Sequence, residues 1–443
     1  MNTLRRRVQQ LSEILLNLKQ NRAVRGTTTL ILGTGVAKAI ALITMPVLTR
    51  IYTPEDFGRL SVFVSVSTVL GSILTLRYVV AIPIPVSPIR ARTLLLLNTV
   101  LVIALSAISA ITVFSLLSRY GGAAVLQHMD SFWVQNLWII FAGAFGFASY
   151  EVVTMWATRE KRYSAISASQ VWQSFTGTAV KIAAGLAFPS SLSLVVGQAV
   201  QQSGGLFSLF GSYSRAMRSA LRSLNFGQIT GVARRYLEFP AYKLPSHFIY
   251  ALSAQAPILF SSYAWGAATT GQLGLAFQAI ALPLALISQN ASKVYYSELA
   301  ALGRSDYQAA LRLTNYLALR LFAVGMLISA ALFLGAPFIF ELAFGQTWRE
   351  SGDFARALAV YIPFQFVASS LIMAYNIHGS QRRVLLVHFV RAALIATVFT
   401  VTSLLDIGAL TTIYVYSAVI SIHYAIVYYD VVRMIKLNRG SNR

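Results

Sequence analysis

The chain has 443 residues, of which 56% are hydrophobic and 11% charged, with a mean hydropathy of +0.63. Soluble domains carry about 25% charged residues, so this balance excludes an ordinary globular protein and reads as a polytopic membrane protein. The net charge of +22 would suit nucleic acid only as one contiguous patch, and the absence of cysteine excludes disulfides and thiolate metal sites.

Residues 1–26 set Leu4, Val8, Leu11, Leu15 and Leu18 at helical spacing among Arg5, Arg6, Arg7 and Lys19, which predicts an amphipathic helix on the inner leaflet. No short apolar core with a cleavage site follows, so a cleaved signal peptide is not expected. Two apolar runs come next, 27–49 and 60–83, joined by the polar turn RIYTPEDFGR. At about 1.5 Å of rise per residue, each matches the ~30 Å hydrocarbon core of a bilayer. Further runs at 94–116, 132–156, 166–188 and 192–210 complete a first set of six. A second six follows at 246–264, 273–290, 316–340, 355–378, 384–404 and 409–430. Between the sets lies the basic stretch 211–245, with Arg215, Arg218, Arg222, Arg234 and Arg235.

Lys and Arg accumulate in cytoplasmic loops, which tests the count independently. With the N-terminus inside, only Arg50, Arg59, Arg119, Arg349 and Arg356 fall outside, and Lys38, Arg77, Lys181, Arg320 and Arg391 fall within spans. Every other basic residue is cytoplasmic. Basic residues spread over all the inner loops fit anionic lipids of the inner leaflet, and no nucleic-acid partner is expected. The expected fold is therefore an all-α polytopic membrane protein. Twelve transmembrane helices form two pseudo-symmetric six-helix bundles, 27–210 and 246–430, with both termini inside. The basic linker 211–245 joins them, and 431–443 is a cytoplasmic tail. A short internal match supports duplication: Pro46 precedes Tyr52 by six residues, as Pro257 precedes Tyr263.

The opening stretch carries Gly33-Thr34, Leu48-Thr49-Arg50, Tyr52, Pro54-Glu55, Phe57-Gly58, Leu76-Arg77-Tyr78 and Ala81-Ile82. It resembles the opening of the Wzx-type polysaccharide-biosynthesis flippases of the multidrug/oligosaccharidyl-lipid/polysaccharide exporter superfamily. Tyr236, Phe239-Pro240, Tyr242 and Pro245 resemble the start of that family's second half, and Trp156, Arg159 and Tyr163 its pattern after the fourth span. Two departures stand out: Val79 stands where a glutamate usually follows Arg-Tyr, and Lys38 where an amide is common. The resemblance implies a flippase that carries an undecaprenyl-diphosphate-linked oligosaccharide, an O-antigen or exopolysaccharide repeat unit, across the bacterial inner membrane. It also implies a polysaccharide polymerase or chain-length regulator as a partner.

An ionisable group deep in a membrane helix costs ~2.5–3.5 kcal/mol on insertion scales, so it faces a cavity or a partner. Lys38, Arg77, Lys181 and Arg391 outnumber the acids of the spans, Glu151 and Asp430, which favours an anionic ligand. The four are read as lining one cationic cavity for the diphosphate, Arg gripping as a planar fork and Lys as a point charge. Glu151 is read as an ion-pair partner of a cation such as Arg77, or as a coupling group. Arg320 is read as snorkelling to the interface. His247, His388 and His423 are read as packing or interfacial residues, with proton relay as the alternative, and Tyr236, Tyr242 and Trp265 as interfacial aromatics, with stacking on sugar rings as the alternative. No His/Asp/Glu spacing suggests a metal, and no Walker-type loop is present to cradle ATP, so no cofactor is expected. Ion coupling is expected, with the choice between proton and sodium open. The alternatives are a multidrug or other lipid-linked-substrate exporter of the same superfamily, lipid II included, and a membrane glycan polymerase. Short outer loops disfavour the polymerase, and the expected class is not an enzyme.

Overall fold

The computed structural model describes residues 22–119, 130–222, 226–303, 306–379 and 381–437. The N-terminal amphipathic segment therefore lies outside the described residues up to position 21. The first half consists of α1 (Arg22–Ile51), α2 (Pro54–Leu74), α3 (Pro88–Arg119), α4 (Ser131–Arg159), α5 (Tyr163–Ala187) and α6 (Ser191–Ser203). The linking region holds α7 (Leu206–Arg222) and α8 (Phe226–Arg235). The second half has α9 (Leu244–Ala264), α10 (Gly266–Leu302), α11 (Tyr307–Phe344), α12 (Arg349–Ala359), α13 (Ile362–Leu371), α14 (Tyr375–His378), α15 (Gln381–Leu404) and α16 (Ala409–Leu437).

A helix satisfies its own backbone hydrogen bonds, which is why a chain this apolar folds as helices throughout. Among the described residues, seven helices are long and apolar enough to cross a membrane. The bent pair Gln346–Ala359 and Ile362–His378, which turns by 58°, raises the number to eight. The helices over the expected ranges 166–188, 192–210, 246–264 and 273–290 are not among these. α6 is only 13 residues long. α5 and α9 interrupt their apolar runs with Ser167, Ser174, Thr178 and Lys181, and with His247, Ser253, Gln255 and Ser261.

The structure moves several expected boundaries. The second span was expected at 60–83, but α2 begins at Pro54 and stops at Leu74. Its start is set by a capping box: the Thr53 hydroxyl accepts from the Asp56 N–H, while the Asp56 carboxylate accepts from the Thr53 N–H. Its end is a backbone break. Leu76 and Arg77 take φ of 44° and 59°, and a single 3-10 turn, Tyr78–Ala81, follows. Arg77 therefore sits in a left-handed turn after the helix, a conformation that costs a side-chain-bearing residue free energy and needs surrounding contacts to hold it. α10 and α11 both run on past their apolar runs, to Leu302 and back to Tyr307. The linker 211–245 is largely helical, and α7 and α8 are amphipathic.

Lipid tails are as apolar as leucine, so membrane helices associate through close packing and small residues rather than through water exclusion. The α2–α10 contact follows that rule. Gly58 faces the Ala267 carbonyl and Gly271 the Pro54 carbonyl so closely that a Cβ at either would collide with backbone. The largest buried cluster runs through α10–α16 and takes in Leu48, Tyr52, Phe57 and Leu60 from the first half. The two halves are thus joined tightly at the end of the molecule where α2 begins.

Candidate functional site

That joined end is a seal. Trp348, buried at 1% exposure, donates its indole N–H to the Thr49 carbonyl at 3.0 Å and meets the Phe57 ring edge-on at 4.9 Å. Gln272 donates to the Thr347 carbonyl at 2.8 Å and accepts from the Ser351 hydroxyl at 2.6 Å. Around it, Arg59 pairs with Asp130 at 2.7 Å and the Ser191 hydroxyl donates to Asp56. Burial acts to raise the Asp130 carboxyl, but the Arg59 hydrogen bond, the Phe132 N–H and the Arg59 charge outweigh it and hold the group below the usual aspartate range.

α2 has 21 residues, so its other end lies about 30 Å away at 1.5 Å per residue. There the halves part around a cavity of about 510 Å³. Arg77 comes from the first half, Glu238, Tyr242 and Lys243 from the segment before α9, and His247 and Tyr250 from α9. Gln365 of α13, His388 and Arg391 of α15, and His423 and Tyr424 of α16 also line the cavity, with Ser246, Ser369 and Asn376 among the smaller polar side chains. Three cations thus line the wall beside one acid, the exposed Glu238, and with Arg77 paired to Glu151 at 2.9 Å the balance remains positive through Lys243 and Arg391. Such a low-dielectric cleft with an excess of one sign concentrates ions of the other.

The four expected cations do not meet. Arg77 and Arg391 line this cavity; Lys38 lines a separate cleft of about 190 Å³ between α1 and the second half, beside Gln278 and Phe344. Lys181 is buried between α5 and α6, where its ammonium donates to Gln198 and, at 2.7 Å, to Gln201. Arg77 is held by Glu151 at 2.9 Å. Arg391 lies over the Tyr250 ring, 5.3 Å from its centre. Arg320 is exposed and stacks on Tyr316 at 4.1 Å, away from the cavity. Among the described residues, no group of three His, Asp or Glu side chains could hold a metal.

The family model described as "Polysaccharide biosynthesis protein" matches residues 47–353, more than half of the chain. The chain belongs to that family. Among curated proteins, none matches the sequence. Solved structures are similar in fold. An inward-facing multidrug resistance MATE family transporter of the MOP superfamily shares 12% identity, with a TM-score of 0.65 over 94% of this chain and 96% of that one. The lipid II flippase MurJ, in an inward closed conformation, shares 10% identity, with a TM-score of 0.63 over 94% and 90%. A MATE structure in a bent conformation shares 13%, with a TM-score of 0.60 over 96% and 98%. The fold is therefore that of membrane transporters and flippases, not of an enzyme.

In this polysaccharide biosynthesis protein the motif residues mostly build framework. Pro54, Phe57 and Gly58 make the seal, and Tyr52, buried at 3% exposure, donates to the Lys181 carbonyl at 2.7 Å. Its counterpart in the internal match, Tyr263, is 78% exposed, so the two do not share a role. Tyr78 donates to the Ala233 carbonyl at 3.0 Å, and Arg159 spans the carbonyls of Ile82, Pro83 and Pro85, the last at 2.6 Å. Pro83 and Pro85 carry no N–H, so this segment cannot form a regular ladder and takes an outside donor. The residues that sequence reasoning set aside are the histidines. His247, His388 and His423 all reach the cavity, with Tyr250 between His388 and Arg391. The available signal was the spacing of three in His247–Tyr250 and His388–Arg391, which puts each pair on one helical face.

Proposed function

We propose that the protein flips an undecaprenyl-diphosphate-linked oligosaccharide from the inner to the outer leaflet of a bacterial inner membrane by ion-coupled alternating access. The carrying observation is the cavity with Arg77, Lys243 and Arg391 on its wall, open at the end opposite the Trp348 seal. With twelve passes and both termini inside, that cavity faces the cytoplasm, where the lipid-linked sugar is made, and the state is inward-facing. The head group enters the cationic cavity while the prenyl chain stays in lipid. Residues 27–210 and 246–430 act as the two bundles that rock about the seal, and 211–245 links them on the cytoplasmic side. The cationic excess on the wall weighs against a cationic drug as cargo, since such a cargo asks for buried acids. Phosphate oxygens suit a guanidinium fork.

The test is flipping of a fluorescent undecaprenyl-diphosphate oligosaccharide in proteoliposomes, with a fluorescent cationic drug as the competing cargo. Flipping of the first alone supports the reading. Export of the drug without flipping of the lipid would replace it with multidrug efflux.

A further inference from the structure

We propose that the phosphate-recognising subsite of the cavity lies in the second half of the chain, on Arg391 and His423 with Gln365 beside them, while Arg77 serves Glu151 rather than the ligand. The inference rests on the flippase reading above, since a prenyl-linked diphosphate is the ligand it assigns.

Arg391 is 8% exposed, yet its Nε has no hydrogen-bond partner and, among the described residues, no carboxylate lies within ion-pair distance of it. His423, on the neighbouring α16, is 3% exposed and has neither ring nitrogen bonded. Gln365 Oε1, from α13, is likewise buried and unpartnered. All three line the same cavity. Native structures leave few buried polar atoms unmet, so three such side chains from three helices converging on one space mark a place where a ligand completes the bonding. Arg391 brings a permanent cation and His423 an imidazole N–H, donors that suit the oxygens of a phosphate, while the unmet Gln365 Oε1 is an acceptor that suits a hydroxyl of the attached sugar. Tyr250 fixes the cation: the guanidinium lies over its ring, and the His388 ring packs against it at 4.9 Å.

Arg77 is in the opposite situation. Its guanidinium donates to the Glu151 carboxylate at 2.9 Å, with both side chains under 20% exposed. A diphosphate arriving there would have to displace that carboxylate or lie beside it, like charge against like.

The experiment measures binding to the purified full-length chain in nanodiscs of neutral lipid. The probes are geranylgeranyl diphosphate, inorganic pyrophosphate and phosphatidylglycerol. Wild type is expected to bind geranylgeranyl diphosphate, with pyrophosphate competing and phosphatidylglycerol competing only at far higher concentration. Arg391→Gln is expected to weaken binding tenfold or more. Gln365→Glu, which leaves Arg391 in place and adds a repelling charge, is expected to do the same, and the unfolding temperature of each variant reports its fold. Arg320→Gln, outside the cavity, is the control. Wild-type affinity in folded Arg391→Gln and Gln365→Glu would overturn the subsite and leave the flippase reading standing. A loss in Arg77→Gln/Glu151→Gln equal to that in Arg391→Gln would overturn its placement in the second half. Equal competition by phosphatidylglycerol would reassign the site to bulk anionic lipid. A wild type that binds neither diphosphate would sink both readings together.

Discussion

Replacing Gly271 with alanine is expected to loosen the seal between the halves. The added methyl would run into the Pro54 carbonyl and the Gly58 N–H, both of them backbone in the first two turns of α2. Backbone cannot rotate away as a side-chain tip can, so the two helices must separate. Overpacking of this kind costs about 1–3 kcal/mol. On the alternating-access reading proposed above, the contact exists only while the halves are closed at this end, so the cost falls on the sealed state alone. At 1.4 kcal/mol per tenfold, it shifts the ratio of sealed to opened molecules by roughly 5- to 150-fold. The natural chain has no cysteine, so a single Thr49→Cys reporter reacts without background. Thr49 is 6% exposed and its carbonyl takes the Trp348 bond. A membrane-impermeant maleimide added from the outer side should label it roughly 5- to 150-fold faster in the Gly271→Ala background. Unchanged labelling in a folded variant would refute the claim that this helix contact is what closes the outer end.

Removing one member of the Arg77–Glu151 pair should be worse than removing both. Glu151→Gln leaves a mostly buried guanidinium without its counter-charge and is expected to destabilise by about 3–5 kcal/mol. Arg77→Gln added to it should restore most of that loss, as read from thermal unfolding of the three variants. Tyr52→Phe deletes the hydrogen bond to the Lys181 carbonyl and should cost about 1 kcal/mol. Tyr263→Phe, at an exposed position, should stay within about 0.5 kcal/mol; equal effects would mean the internal match is functional after all. The Arg59–Asp130 pair should give pH-dependent stability. A carboxyl held below its ordinary value contributes above that value and loses its contribution as pH falls through the folded one. For a partly exposed pair the size is about 1 kcal/mol or less. Asp130→Asn should therefore unfold earlier than wild type at pH 6, and the gap should close in strong acid; a gap that persists there would show that the effect is not one of charge.

The all-helical membrane fold is legible because apolar run length is a local property of the chain. The Glu151–Arg77 pair was legible too, since the spans offer so few acids that a buried arginine has little choice of partner. The start of α2 was readable and misread: Thr53, Pro54 and Asp56 spell a capping box inside what looked like a loop. The break at Leu76 and Arg77 was not readable, because neither residue prefers a positive φ and only tertiary contacts hold them there. The cavity wall was obscure for a different reason. His423 stands alone in an apolar helix, and only the crossing of α13, α15 and α16 brings it to Arg391 and Gln365. Lys181 misled in the other direction: depth in the membrane made it a candidate, but two glutamines beside it satisfy it without a ligand.

The segment from Arg77 to Pro85 is fastened to α4 at two points, by Glu151 near its start and by Arg159 across its later carbonyls. Those two residues lie eight apart on one helix, a little over two turns, so the pair of fastenings works like two rivets through a plate. A plate riveted twice cannot pivot on its mount. This wall of the cavity mouth is therefore expected to move with α4 as a single piece.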